Sequence, residues 1–324
     1  MKVAAVVPHW NRRDLLLALL ENLREQTRPF DQIIVVDNGS NDDSAALAES
    51  AGAKVVRLER NLGFAAAVNK GIEAADADWI GILNNDVTLA PDWLANLLDA
   101  AAKEDAWFAT GKTLMASDPS RVDGAFDAIS RGACGCRCGW GKPDGPVWNQ
   151  PRQIRMAPMT AALFQRRLFE GVGLLDEAFE SYLEDVDFGM RCALQDRWGI
   201  YVPEAIAHHQ GSSTWGQWNK YSVRLIARNQ VLLTAKYFAG LPRWPIMAGQ
   251  LLWGLLALRH GCAGAYLEGK MAGMRLARSL PMRRLASASK IGAFVGESER
   301  TILEIQRQTG FDRYWRAYFW LLGL

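Results

Sequence analysis

Four short apolar runs separated by helical patterns constrain what this chain can fold into more than any other feature. Val3–Val7, Ile33–Val36, Lys54–Leu58 and Trp79–Leu83 are rich in β-branched residues and bounded by polar turns, the signature of buried strands. Between them, Arg13–Glu25, Ser44–Ala51 and Phe64–Ala74 carry apolar residues at helical spacing. Pro91–Lys103 continues as a helix with proline near its first turn. Strand–helix alternation at this spacing predicts βαβ units, an α/β fold with a mostly parallel sheet flanked by helices. Ser117–Gln150 is rich in Gly, Pro, Asp and Cys and reads as a long, loop-dominated insertion. From about Asn219 the pattern is helical to the end. The expected division is an α/β domain over residues 1–218 and a helical C-terminal region over 219–324.

Charge is distributed unevenly along the 324 residues. The net charge of +2 combines an acidic first part, 21 Lys/Arg against 29 Asp/Glu in residues 1–200, with a basic remainder of 16 against 6. Between Ala205 and Gly296 there are 12 basic residues and one acid, Glu268. The second part is thus suited to anions. Hydrophobic residues at 49% exclude a disordered chain. The opening Met1-Lys-Val-Ala-Ala-Val-Val-Pro8 reads as a strand cut by proline, not a secretory signal. Five cysteines in a chain of this size argue against a disulfide framework and for a reducing compartment. The run Cys134, Cys136, Cys138 lacks a second cluster, so a loop or strand with alternating thiols is expected in place of a zinc site.

Polar residues gather where strands end, and in open α/β sheets those ends line the ligand crevice. The second strand ends in Asp37-Asn38-Gly39-Ser40, where Asp37 can meet a base or ribose or cap the next helix. The third is followed by Asn61-Leu-Gly63-Phe64 and a helix carrying Asn69. The fourth runs into Asn84-Asn85-Asp86, with Asp86 a suitable ligand for a hard cation that would hold a pyrophosphate. No G-x-G-x-x-G follows the first strand and no G-x-x-x-x-G-K-[ST] occurs, so dinucleotide and P-loop fingerprints are absent. Further on, Phe179–Arg191 packs Glu180, Glu184, Asp185 and Asp187 among Phe179, Tyr182, Leu183, Val186 and Phe188. A helix starting near Glu184 puts Glu184, Asp187 and Arg191 on one stripe and turns Asp185 about 100° away. Acids in a first turn suit the helix dipole, but acids against an apolar wall also suit proton transfer or cation binding.

Together these motifs resemble the inverting GT-A glycosyltransferases of family 2, particularly the rhamnosyltransferase-like members. The segments are Val7-Pro8-His9-Trp10-Asn11, Val35–Ser40, Asn61–Phe64 with Asn69, Leu83–Asp86, Gly173–Glu177, Tyr182–Asp187 and His208–Ser213. The resemblance covers about residues 1–240 and implies a Rossmann-like GT-A domain that binds a nucleotide-diphosphate sugar. It implies that Asp37 reads the base, with Asn11, Asn38, Asn69 and Asn85 as donor-site neighbours. It implies that Asp86 and His208 hold Mg²⁺ or Mn²⁺, that Asp185 is the general base, and that Glu184 lies beside it at the acceptor. In this chain the metal motif is acidic only at Asp86, and Met159-Thr160-Ala161-Ala162 replaces the family's glycine before the acceptor helix.

The resulting expectation is transfer of a sugar, from dTDP-rhamnose or a UDP-sugar, to a hydroxyl of a glycan or polyprenyl-linked acceptor in cell-surface polysaccharide synthesis. A nucleotide-sugar-binding module without transferase activity and a nucleotidyltransferase on a related α/β sheet are the rival readings; nucleic acid is not an expected partner. Pro245–Leu258, including Trp253, is strongly apolar but too short to span a bilayer. Arg259, Lys270, Arg275, Arg278, Arg283, Arg284 and Lys290 follow it. That pattern predicts a cytoplasmic protein with peripheral attachment to an anionic inner membrane face, or else a helical cap with a solvated basic side.

Overall fold

The computed structural model describes residues 1–211, 218–280 and 286–324. Ser213, Arg283 and Arg284 lie outside the described residues. The first strands and helices are β1 (Val3–His9), α1 (Arg13–Arg24), β2 (Gln32–Asp37), α2 (Ser44–Ser50), β3 (Lys54–Arg57), α3 (Phe64–Ala74), β4 (Trp79–Leu83), β5 (Val87–Leu89) and α4 (Trp93–Lys103). Next come β6 (Phe108–Met115), β7 (Asp118–Gly124), β8 (Phe126–Ile129), β9 (Gly135–Cys138), β10 (Arg152–Ile154) and β11 (Ala161–Gln165). α5 (Arg166–Val172), α6 (Glu184–Leu194) and β12 (Gly199–His209) precede the helices α7 (Lys220–Tyr237), α8 (Arg243–Arg259), α9 (Ala263–Ser279), α10 (Ala288–Thr309) and α11 (Arg313–Leu321). The chain forms two compact units, residues 1–126 with 139–211 and residues 127–138 with 212–324.

The first unit is built on a sheet of order β10-β12-β6-β11-β4-β1-β2-β3, with β5 on β12 and β7 on β6. β3, β2, β1 and β4 run parallel, as the strand–helix alternation requires. Beyond them β11 lies antiparallel between β4 and β6, so the sheet is mixed. β1 is buried almost throughout, which explains its unbroken apolar run. Leu16, Leu19, Leu20 and Leu23 of α1 recur at i, i+3, i+4 and i+7 and are all buried. They join Val3, Ala5 and Val7 of β1, and Trp93 and Leu97 of α4, in one core cluster. Each leucine contributes about 1.5–3 kcal/mol by burial.

The expected loop over 117–150 is instead rich in strand. β7, β8 and β9 occupy it, and Val122 through Ser130 are buried. Gly132 lies in the turn between the paired β8 and β9, and Gly139 and Gly141 take positive φ in the turns after β9, so turn residues are dense because the strands are short.

In the second unit β8 pairs with β9, and the described residues beyond 217 are helical apart from turns and caps. α7 and α9 approach closely through Gly269 and Gly273: a Cβ at 269 would stand 2.2 Å from the Arg224 carbonyl oxygen. Ser298 accepts the Ile129 N–H at 2.7 Å, and Glu299 receives Arg131 and the Tyr318 hydroxyl. All five cysteines are free thiols. Cys134 is buried against the amides of Gln230 and Gln250, and burial pushes its thiol up to about 11. Among the described residues no helix is long and apolar enough to cross a membrane.

Candidate functional site

β1, β2 and β4 deliver the first group of side chains at their carboxyl ends. Register sets His9 beside Asp37, both nearly buried at 2% and 6% exposure. Asp37, at the carboxyl end of β2, accepts the Ser40 N–H at 3.0 Å and so organises its own turn. Asn11, in left-handed backbone, donates its N–H to Ser40 and accepts from the Asn41 N–H. Asn38 donates to Asn61 and to the Gly63 carbonyl and accepts from the Leu62 N–H. Its amide therefore shapes the Asn61–Gly63 loop. Asn69 donates to the Leu175 carbonyl and to Glu177 and accepts from the Leu175 N–H, all at 3.0 Å. Its amide is engaged inside the fold, tying α3 to Leu175–Glu177.

Asn85 lies 2.9 Å from His9 Nδ1 and donates to it, which leaves the neutral imidazole carrying its proton on Nε2. Among the described residues that nitrogen is buried without a hydrogen-bond partner. Burial pulls the His9 imidazole down to about 4, against the opposing pull of Asp42 and Asp37.

Asp86 meets a histidine, and it is His209, not His208. His209 Nε2 stands 3.2 Å from Asp86 Oδ1, and Nδ1 stands 2.9 Å from Asp123 Oδ2. His208 precedes it on β12, where successive side chains turn to opposite faces. Two adjacent histidines in one strand cannot both face Asp86, and the spacing in sequence did not reveal the strand's phase. Burial disfavours the His209 imidazolium, but hydrogen bonds and charge from Asp123 and Asp86 outweigh it and raise the ring to about 9. Asp123 lies on β7, within the stretch the sequence suggested was loop, and so was missed.

Among the described residues no three His, Cys, Asp or Glu side chains form a preassembled metal site. The donor set still fits a divalent cation that completes its shell with phosphate oxygens. Asp86 would supply an oxygen and His209, on losing its Nε2 proton, a nitrogen, while Asp123 holds the imidazole through its other nitrogen, as a supporting carboxylate does in many metal sites.

The acid-rich segment forms the start of α6, with Glu184, Asp185 and Asp187 in its first turn. Asp187, fully buried, pairs with Arg191 at 3.0 Å, and Arg191 also donates to the carbonyls of Val172, Gly173 and Leu174. That acid is structural. Asp185 is half-buried and one oxygen accepts the Val186 N–H at 2.8 Å; Glu184 is 6% exposed. Glu180, Tyr182 and Leu183 all hold positive φ ahead of the helix, a strain of order 1–2 kcal/mol for each such residue.

The Asn61–Phe64 loop and this segment are joined. Ser181 Oγ accepts the Phe64 N–H and the Glu180 carbonyl accepts the Ala65 N–H, capping α3 from a distance in sequence. Gly63 has φ 91°, and a Cβ there would stand 2.7 Å from the Glu180 carbonyl oxygen. Glycine is required by both conformation and space.

Residues 4–171 match the family described as Glycosyl transferase family 2. A 232-residue stretch is 32% identical to an N-acetylglucosaminyl-diphospho-decaprenol L-rhamnosyltransferase of Mycobacterium tuberculosis, covering 64% of this chain and 74% of that protein. The O-antigen biosynthesis protein RfbC of Myxococcus xanthus is 26% identical over 227 residues, 65% of this chain and 18% of RfbC. Among solved structures, GalNAc-T7 with UDP, GalNAc and Mn²⁺ superposes with a TM-score of 0.65 at 16% identity, covering 94% of this chain and 58% of that one. A mannosyltransferase of Pyrobaculum calidifontis with GDP-Man and Mn²⁺ gives 0.55 at 17% identity, covering 98% and 85%.

Proposed function

The chain belongs to glycosyl transferase family 2, as a rhamnosyltransferase-like glycosyltransferase, and from that premise we propose an inverting transfer from a nucleotide-diphosphate sugar to a glycan or lipid-linked hydroxyl. The observation that carries the reading is the Asp86–His209–Asp123 array in the same unit as the strand-tip Asp37. Deoxythymidine-diphosphate rhamnose is the leading donor and a UDP-sugar the second. The leading acceptor is a polyprenyl-diphosphate-linked sugar, the class named in the mycobacterial relative. Residues 1–218 would form the transferase domain and 219–324 a helical region, with the enzyme working at the inner face of the plasma membrane.

On this reading Asp37 accepts hydrogen bonds from the base or ribose, and the orphan Nε2–H of His9 offers a donor nearby. Asn11 and Asn38 hold the loops beside Asp37, Asn69 ties α3 to Leu175–Glu177, and Asn85 sets the His9 tautomer. Asp86 and His209 would hold Mg²⁺ or Mn²⁺, which when bound neutralises charge on the departing diphosphate. Asp185 takes the proton of the attacking acceptor hydroxyl, a contribution of roughly 10²–10⁴-fold. Glu184 lies beside it and acts through acceptor binding or the local field. A single base suffices because inversion forms no covalent sugar–enzyme intermediate.

The test uses labelled dTDP-rhamnose and UDP-sugars with a short-chain polyprenyl-diphosphate-linked N-acetylglucosamine as acceptor. Asp185→Asn should leave donor affinity within about threefold while transfer falls roughly 10²-fold or more, because a base acts in the transition state. A product with the donor's anomeric configuration retained, or near-normal transfer by the variant, overturns the reading.

A further inference from the structure

We propose that the outward faces of α8 and α9, with Trp320 of α11, form a docking surface for an anionic lipid bilayer. α8 buries Pro245, Ala248, Gly249 and Ala257, and along one stripe it exposes Trp244, Met247, Leu251, Leu255 and Leu258. Those five positions fall within about 80° of arc at 100° per residue. Between Arg243 and Arg259 the helix has no charged residue at all. On α9, Leu267, Met271 and Met274 recur at i, i+4 and i+7 and are exposed in the same way. Trp320 is 77% exposed, and the neighbouring Leu321 carbonyl receives the Trp244 indole N–H at 3.4 Å. α10 of the same unit does the opposite: it buries Ile291, Phe294, Val295 and Ile302 and turns Lys290, Glu297, Arg300, Glu304 and Arg307 to solvent.

Trp253, which the sequence suggested as the lipid contact, is turned inward. It stacks on Tyr266 at 5.8 Å and packs near Trp218. The sequence showed an apolar segment, and the helix phase divides it into an inner and an outer face.

Charge decides the occupant. Exposed Arg243 and Arg259 close the two ends of the α8 stripe, and Arg275 and Arg278 follow Met274 on α9. Glu268 is the one acid between Ala205 and Gly296. An apolar centre with a cationic border and exposed tryptophans suits acyl chains beneath anionic headgroups. A second copy of the chain meeting this face across a twofold axis would oppose like faces and set arginines against arginines. At 17 residues, α8 is about 25 Å long, short of a bilayer's hydrocarbon core, so it would lie in the interface plane. The inference rests on this unit's residues and is separable from the choice of sugar or base.

Flotation of the full chain with phosphatidylcholine vesicles, with and without 30% phosphatidylglycerol, tests it. Binding should require the anionic lipid, weaken as salt screens the arginines, and fall at least about tenfold in Leu251→Glu/Leu255→Glu. A solvatochromic dye on Leu255→Cys should shift to the blue only with anionic vesicles. Circular dichroism checks that the double variant folds, and transfer to a water-soluble acceptor without vesicles should stay within about twofold, since no step of the proposed transfer uses these residues. Absence of vesicle binding by the native chain, binding indifferent to Leu251→Glu/Leu255→Glu, or a native dimer that this variant converts to monomer overturns the proposal.

Discussion

Asp187→Asn should destabilise the protein by about 3 kcal/mol, with the cost arising in the fold before any chemistry is reached. Asp187 is fully buried and Arg191 nearly so, at 0% and 11% side-chain exposure, and their contact is 3.0 Å. Removing one member of a buried ion pair costs roughly 3–5 kcal/mol because the other charge is left uncompensated. Here three carbonyls continue to hold the guanidinium, and the asparagine oxygen can still accept from Nε, which places the cost at the lower end. About 3 kcal/mol is a factor of roughly 150 in the folding constant and, with an m-value near 3 kcal/mol/M, lowers the urea midpoint by about 1 M. Asp185→Asn, which perturbs a half-buried acid hydrogen-bonded to its neighbour's N–H, should move the midpoint by less than about a third of that. Pairing Asp187→Leu with Arg191→Leu should recover only part of the loss, since the three carbonyls then lose their donor. A midpoint change below about 0.3 M in Asp187→Asn, together with lost transfer, would refute the structural assignment and move Asp187 into the chemistry.

His209→Gln should abolish the Mn²⁺-dependent part of the thermal shift given by a nucleoside diphosphate, whereas His208→Gln should retain it; the opposite result restores the assignment drawn from the sequence. Asp123→Asn should weaken Mn²⁺ binding by about 10–100-fold in the same titration, the usual effect of losing a carboxylate that orients a ligating imidazole. The His9 ring, held near 4 in the fold against 6.5 when free, takes up its proton first in the unfolded chain. Stability from this group is therefore intact above pH 6.5 and falls by up to about 3 kcal/mol as pH drops to 4. His9→Gln should flatten that part of the stability–pH profile measured by urea unfolding, and an unchanged slope would refute the assignment.

What the sequence revealed depended on whether the pattern repeats. The buried strands Val3–His9 and Trp79–Leu83 and the leucines of α1 carry apolar-run or helical signals over many residues, so their elements were legible. The start of α6 was legible too, because acids in a first turn and an i, i+4 Asp–Arg pair are local rules. The antiparallel β11 between β4 and β6 was not, since nothing local specifies which strand lies beside it. The stretch from β7 to β9 failed for another reason: its turn residues outnumber its alternating apolar positions, and burial comes from partners distant in sequence. Asp123 was lost with it. The histidine that contacts Asp86 lies one residue beyond the one the sequence singled out, the smallest displacement that turns a side chain to the other face of a strand.

Asn69 has a consequence for how variants of this chain should be sorted. Its amide works as a rivet between α3 and Leu175–Glu177, giving two hydrogens and taking one. Aspartate, identical in outline, would present oxygens to the Leu175 carbonyl and the Glu177 carboxylate. A mutational screen scored only by product formed would place this substitution beside those of Asp37 and Asp185. Thermal melting would separate them at once, because a loosened rivet lowers the melting point of the empty protein. Sensitivity to substitution and contact with substrate are thus different properties in this fold, and its asparagines are where the two diverge most.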